Sequence, residues 1–209
     1  HYSGEGHARR ACHAAAGMRQ ALKTVGTITT ANGQVKLRMS LAVNSGSSLF
    51  MRVGSSHQQL AVVGPSATRT VALESATQAG EILVSDETAA YLRDSELGAE
   101  SSGARLLRRS PSCNPTPPQL VSDGPDLAQF LPEVLRGRLG SGEHEHRPAA
   151  ISFVHIGGLD RRLRKVGAQQ LHGELDEVVS MAQEAAREHG VSVLGTDIAS
   201  DGIKLLVVG

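Results

Sequence analysis

Val62-Val63-Gly64-Pro65-Ser66-Ala67-Thr68, followed by Ala79-Gly80-Glu81-Ile82-Leu83-Val84-Ser85, decides the fold class. Gln59 to Val63 reads as a strand, apolar from Leu60 onward and ending in two β-branched valines, and Gly64-Pro65 breaks it. Ser66 is placed to cap a helix from Ala67 to about Gln78. Glu81 to Val84 is a second strand, and Ser85 caps a short helix ending near Leu92. Strand, helix and strand in succession predict a mixed α/β domain.

Working outward, Ala8, Ala11, Cys12, Ala15, Met18 and Leu22 recur at helical spacing, so residues 7–23 read as an amphipathic helix with a small-residue face. Asn32-Gly33 marks a turn, and Val35 to Val43 alternates as a strand. Phe50–Gly54 and Gln59–Val63 read as a strand pair around Ser55-Ser56-His57. Residues 93–149 hold most of the eight prolines, many Ser and Gly and little periodicity. They are expected to be a linker carrying one short helix, Asp126 to Leu139. Pattern returns with a strand at Ala150–Ile156 and a helix that Asp160 caps. Leu171, Leu175, Val178, Val179, Ala182 and Ala185 form its apolar stripe, and Gly190 is its C′ residue. Val191–Leu194 and Ile203–Val208 are strands joined by Asp201-Gly202, a favoured hairpin pair. Three segments follow: 1–92, a linker 93–149, and 150–209.

The chain has 209 residues, 40% hydrophobic and 2% aromatic, with no Trp, so its core is aliphatic. Lys+Arg and Asp+Glu are equal at 21 each, so no global field favours nucleic acid or an anionic membrane. No apolar run is long enough to span a bilayer. Two cysteines, Cys12 and Cys113, supply neither a disulfide framework nor a zinc-binding CxxC, which fits a reducing compartment such as the cytoplasm. The chain starts at His1 and stops just after a strong β-run, which suggests a fragment of a longer protein.

Three stretches together resemble the adenylate/guanylate cyclase catalytic domains, in particular bacterial proteins with two such domains in tandem. His7 to Ala15 resembles the helix after the central hairpin. Residues 62–68 with 79–85 resemble the "viGpxVNxAaRL…AxxGeIlVS" block. Ile151–Leu159 with Gly190–Val208 resembles the opening strand and metal-bearing hairpin of a second copy. The resemblance implies a ferredoxin-like α/β sandwich. Residues 1–92 would be the C-terminal half of one cyclase domain and 150–209 the N-terminal half of the next. The halves are complementary, so they either dock as one circularly permuted domain or remain two open half-domains.

The family converts a nucleoside triphosphate to a 3′,5′-cyclic monophosphate and pyrophosphate at the interface of two domains. Two divalent cations (Mg2+ or Mn2+) held by two carboxylates activate the 3′-hydroxyl and neutralise phosphate charge. The first carboxylate belongs in "FxDIxGF", which here reads Phe153-Val154-His155-Ile156-Gly157-Gly158-Leu159. His155 replaces it, and imidazole is a poor magnesium ligand. The second matches Asp201, whose plainer reading is a good hairpin turn. Asp197 stands where the adenine-reading Lys belongs and Gln59 where its Asp belongs. Thr68 stands for the ribose Asn and Ala72 for the transition-state Arg; Arg69 is on a different face.

The set is degraded at nearly every visible position. The resemblance therefore implies the degenerate side of a domain pair, with ATP and Mg2+ or Mn2+ bound by an intact parent and no cofactor expected for the fragment. Pairing would be intramolecular or between two copies, and the rival is a noncatalytic regulatory or dimerisation module. Other features have plainer explanations. Glu143-His144-Glu145-His146 could hold a metal but sits in the linker. Arg161-Arg162-Leu163-Arg164-Lys165 and Arg105–Arg109 are basic clusters whose default is a solvated face. Gly64–Ala67 could cradle phosphate, though packing is the simpler reason. Cys12 is expected to be inert, and His57 has no triad partner.

Overall fold

The computed structural model describes residue 4 and residues 6–114, 126–136 and 148–209. In chain order the elements are α1 (His7–Val25), β1 (Thr27–Thr30), β2 (Gly33–Lys36), β3 (Leu41–Val43), β4 (Leu49–Val53), β5 (Gln59–Val63), α2 (Pro65–Ala76), β6 (Ile82–Val84) and α3 (Asp86–Ala89). Then follow β7 (Leu97–Ser101), β8 (Ala104–Leu107), α4 (Glu133–Arg136), β9 (Ile151–Gly157), α5 (Leu159–Glu188), β10 (Ser192–Ala199) and β11 (Gly202–Val208). This is a mixed α/β protein whose described strands form four sheets. The chain divides into two compact units, 1–46 with 69–118, and 47–68 with 119–209.

In the first unit the sheet order is β3-β6-β8-β7, with β3 parallel to β6 and the other pairs antiparallel. Ile82, Leu83 and Val84 are all fully buried. Cys12 and Ala15 of α1 pack with Ile82 and Val84, while Leu73 of α2 packs with Leu83 and Ala104. A strand covered on both faces is apolar at every position, which is why Ile-Leu-Val runs without alternation. The short side chains on α1 let it approach the sheet closely. Ser85 caps α3 as expected, its Oγ accepting from the Thr88 amide at 3.2 Å. Arg9 on α1 grips Glu96 with two parallel bonds, 3.0 and 2.7 Å.

Several boundaries differ from the sequence expectation. Residues 35–43 divide: β2 pairs with β1 through an Ala31-Asn32 loop, and β3 joins the four-stranded sheet. The helix after Gly64 begins at Pro65 rather than beyond a Ser66 cap. Gly64 turns the chain at φ +117°, and proline at the first helical position sacrifices no bond. The stretch from 93 onward is not all linker. β7 and β8 form a hairpin at its start, turning on Ser102 and Gly103, both at positive φ. Asp126–Leu139 is not one helix: Leu127–Phe130 is a 3-10 turn and Glu133–Arg136 a separate α-turn, divided at Pro132, with 137–139 outside the described residues. Glu143 to His146 also lie outside them.

In the second unit the sheet order is β10-β11-β9, all antiparallel. β4 and β5 form the expected hairpin. Met51, Val53, Ala61 and Val63 from that hairpin pack with Leu171, Leu175 and Val179 of α5 and with Val193, Ile203 and Leu205 of the sheet. Residues 49–63 therefore share a core with 151–208.

Two caps also differ. The N-cap of α5 is Gly158 at φ +75°, and Asp160 sits in the first turn instead. A carboxylate there complements the helix dipole without capping it. The β10–β11 loop is Ser200-Asp201, with Gly202 already paired to Ala199. A side chain at Gly202 would meet the Ile156 carbonyl oxygen at 2.0 Å, so glycine there serves close strand approach rather than the turn. Gly190 does follow the helix end at φ +69°.

Candidate functional site

On the 151–209 side, β9 brings His155 into register with Lys204 of β11, which in turn faces Asp197 of β10. All three are exposed. Asp201 reaches back from its loop, and its Oδ1 lies 2.8 Å from His155 Nε2. The other carboxylate oxygen lies over Gly157, where an added Cβ would meet it at 2.9 Å. The two residues expected at the metal positions therefore occupy one place and hold each other. Asp197 stays in its own strand, its Oδ1 accepting from the Ile198 amide at 2.8 Å.

On the 47–68 side, Thr68 lies in the first turns of α2. Its hydroxyl is 2.7 Å from Asp160 Oδ2 and 3.1 Å from the Pro65 carbonyl. The other Asp160 oxygen is buried without a partner. The Ala67 and Thr68 amides donate to the Gly64 carbonyl at 2.9 and 3.2 Å, so this turn spends them on its own helix rather than on a phosphate. Gln59 is buried, with Nε2 2.6 Å from His57 Nε2. Burial pushes His57 below the ordinary histidine range, and Arg136 adds to that shift. Gln183 of α5 locks the hairpin turn. Its Oε1 accepts from the Ser55 and Ser56 amides at 2.9 and 3.1 Å, and its Nε2 donates to the His57 carbonyl at 2.8 Å.

The structure thus joins His155 to Asp201 and sets Thr68 on Asp160, while Gln59 turns inward to His57. Ala72 lies in the first unit, exposed, with a methyl group that offers no hydrogen bond. Arg69 in that unit donates to the Gly103 carbonyl at 2.9 Å. Sequence reasoning passed over the Asp160 contact, Lys204 and Gln183. The signal for Gln183 was available only as a polar residue on an apolar helix face. The expected stripe shifts accordingly: Val178 and Ala185 are exposed, and Gln183 and Ala186 are buried.

The remaining constellations have structural explanations. Arg162 is bound by Glu174, with Nε to Oε2 at 2.7 Å, and that contact pulls the Glu174 carboxyl down to about 2. Burial raises the Cys12 thiol to about 12, which leaves it inert as a nucleophile.

The donors at the expected metal positions do not fit a divalent cation. Mg2+ wants oxygen ligands, and here an imidazole occupies one position and engages the single carboxylate. Among the described residues, no three His, Cys, Asp or Glu side chains gather as a metal-holding group. Among them, too, no helix is long and apolar enough to cross a membrane.

The sequence profile of the adenylate and guanylate cyclase catalytic domain matches residues 2–111, just over half of the chain. No curated protein matches the chain significantly. The profile spans α1, the β4–β5 hairpin, the Gly64-Pro65 turn and the buried Ile-Leu-Val strand; of the three stretches that suggested the family it covers 7–15 and 62–85, while 151–208 lies outside the match. The chain belongs to the adenylate and guanylate cyclase catalytic domain family.

Proposed function

We propose that the chain is part of a nucleotide cyclase that makes cyclic AMP from ATP in intracellular signalling, and that it contributes the degenerate side of a cyclase domain pair. In the reaction the ribose 3′-oxygen bonds to the α-phosphorus, the bond to pyrophosphate breaks, and the hydroxyl proton passes to a base. The observation that carries the reading is the Thr68–Asp160 contact at 2.7 Å. Residues 47–68, inside the family-matched stretch, pack there on the strand, helix and hairpin of 151–208 within one compact unit. That packing joins a stretch of one cyclase half to the other through a shared core. The polar groups at the expected nucleotide positions bind one another there.

Catalysis then rests on a second site built from domain parts beyond this chain, in a cytoplasmic parent paired within one polypeptide or with a second copy. The test is cyclic AMP production by the folded parent with Mn2+ and ATP, alongside the 209-residue chain. Product from the parent and none from the chain is expected. A second reading, a noncatalytic regulatory or dimerisation module, is favoured by the His155–Asp201 pair, in which an imidazole engages the one carboxylate at the expected metal positions. A folded parent that makes no cyclic nucleotide selects it.

A further inference from the structure

The chain is neutral overall, yet its charge is unevenly spread. Between Glu5 and Glu74 there is no carboxylate, while that interval carries eight Arg and Lys residues. Four of them, Arg19 and Lys23 of α1 and Lys36 and Arg38 of and beyond β2, line one cleft of about 520 Å³ in the first unit. Glu81 is the only acidic side chain in its wall, so the lining carries a net charge of +3 (four cations less one carboxylate). Among the described residues none of the four cations forms an ion pair. Between them the wall is aliphatic, with Leu22, Leu37 and Met39, and it contains no aromatic ring. Backbone bonds fix its shape: Leu37 N donates to the Gly26 carbonyl at 2.9 Å and Gly80 N to the Met39 carbonyl at 2.8 Å.

We propose that this cleft binds a small anionic amphiphile, a phosphomonoester head on an aliphatic tail. Its volume falls in the range of small-molecule sites, about 300–1,000 Å³. Four like charges held together repel one another, and a dianionic head relieves that repulsion while forming charge-assisted bonds. The head alone would leave the Leu and Met surface wet, and a tail would cover it; the flexible Met39 side chain can adapt to its shape. A nucleotide fits less well, because its base would find no ring to stack on. The cleft shares no residue with the Thr68, His155 and Asp201 site, so the proposal stands apart from the proposed cyclase function.

The test is calorimetric titration of the 209-residue chain with decyl phosphate below its micelle concentration, and in parallel with inorganic phosphate, ATP and octyl glucoside. Decyl phosphate is expected to bind at least about tenfold tighter than each of the other three. Raising salt weakens it, and the exposed charge reversal K23E/R38E weakens it about tenfold or more while the circular dichroism stays unchanged. A second variant, Leu22→Gln, weakens decyl phosphate but not inorganic phosphate. Equal binding of ATP or octyl glucoside, an unchanged affinity in K23E/R38E, or attachment to phosphatidic acid vesicles without binding of monomeric decyl phosphate would each overturn the proposal.

Discussion

Arg9 and Glu96 show how much one side-chain pair can carry. Glu96 is 7% exposed, and the Arg9 guanidinium holds its carboxyl below the usual carboxylate range. The amide of Arg93 adds a third bond at 2.8 Å. A carboxyl whose folded value is depressed stabilises the fold above its unfolded value and loses that contribution as pH falls through the folded one. Arg9→Met keeps the aliphatic stem and removes the partner. It should cost about 2 kcal/mol at pH 7, the scale of a charged hydrogen bond with its acceptor left buried. The gap to wild type should begin to narrow below about pH 4, where the carboxyl of the unfolded chain takes up its proton, and should close as pH falls through the depressed folded value. Urea unfolding at pH 7 and pH 3.5 checks this, and a gap that stays constant with pH would count against the pair. Nothing in the sequence announced it, since 87 residues separate the partners. The residue readings that did transfer, Ser85 as a cap and Cys12 as inert, depend on neighbours close by in the chain or on one periodic face.

Elements were legible where a local pattern dictates them. The helix at residue 7, the β4–β5 hairpin and the final β10–β11 pair all follow from periodicity bounded by Gly, Pro and Asn. What stayed hidden was partnership. The periodicity of Val35–Val43 fits either one strand or two, and only the β1 hairpin and the β6 edge divide it. β7 and β8 escaped notice because Leu97–Ser101 and Ala104–Leu107 are short and weakly alternating, and depend on the sheet they join. Gln183 is the clearest case of function within an element. It holds the 54–57 turn to α5, with Gly54 at φ +102° placed so close that a Cβ would meet its amide at 2.6 Å. Gln183→Leu retains the bulk but strands two amides and a carbonyl. It should destabilise the second unit by about 2–4 kcal/mol. Hydrogen exchange should show faster exchange at Ser55 and Ser56 than elsewhere in the hairpin, and unchanged protection there would sink the assignment.

At the scale of the whole molecule, the sequence carried the family and the α/β class. It did not carry the grouping of segments. Residues 47–68 leave the neighbours that flank them in sequence and share a core with 151–208, because Met51, Val53, Ala61 and Val63 find there the apolar face of α5. Periodicity says that a face is buried, not against what. The same grouping sets Thr68 on Asp160, while β9 and the final hairpin pair His155 with Asp201, so the polar side chains at the expected nucleotide positions engage one another. The most direct test is calorimetric titration of this chain with ATP in the presence of Mn2+, beside the Asp201→Ala variant. The account predicts no metal-dependent binding to either protein; tight Mn2+-dependent ATP binding that Asp201→Ala abolishes would contradict it.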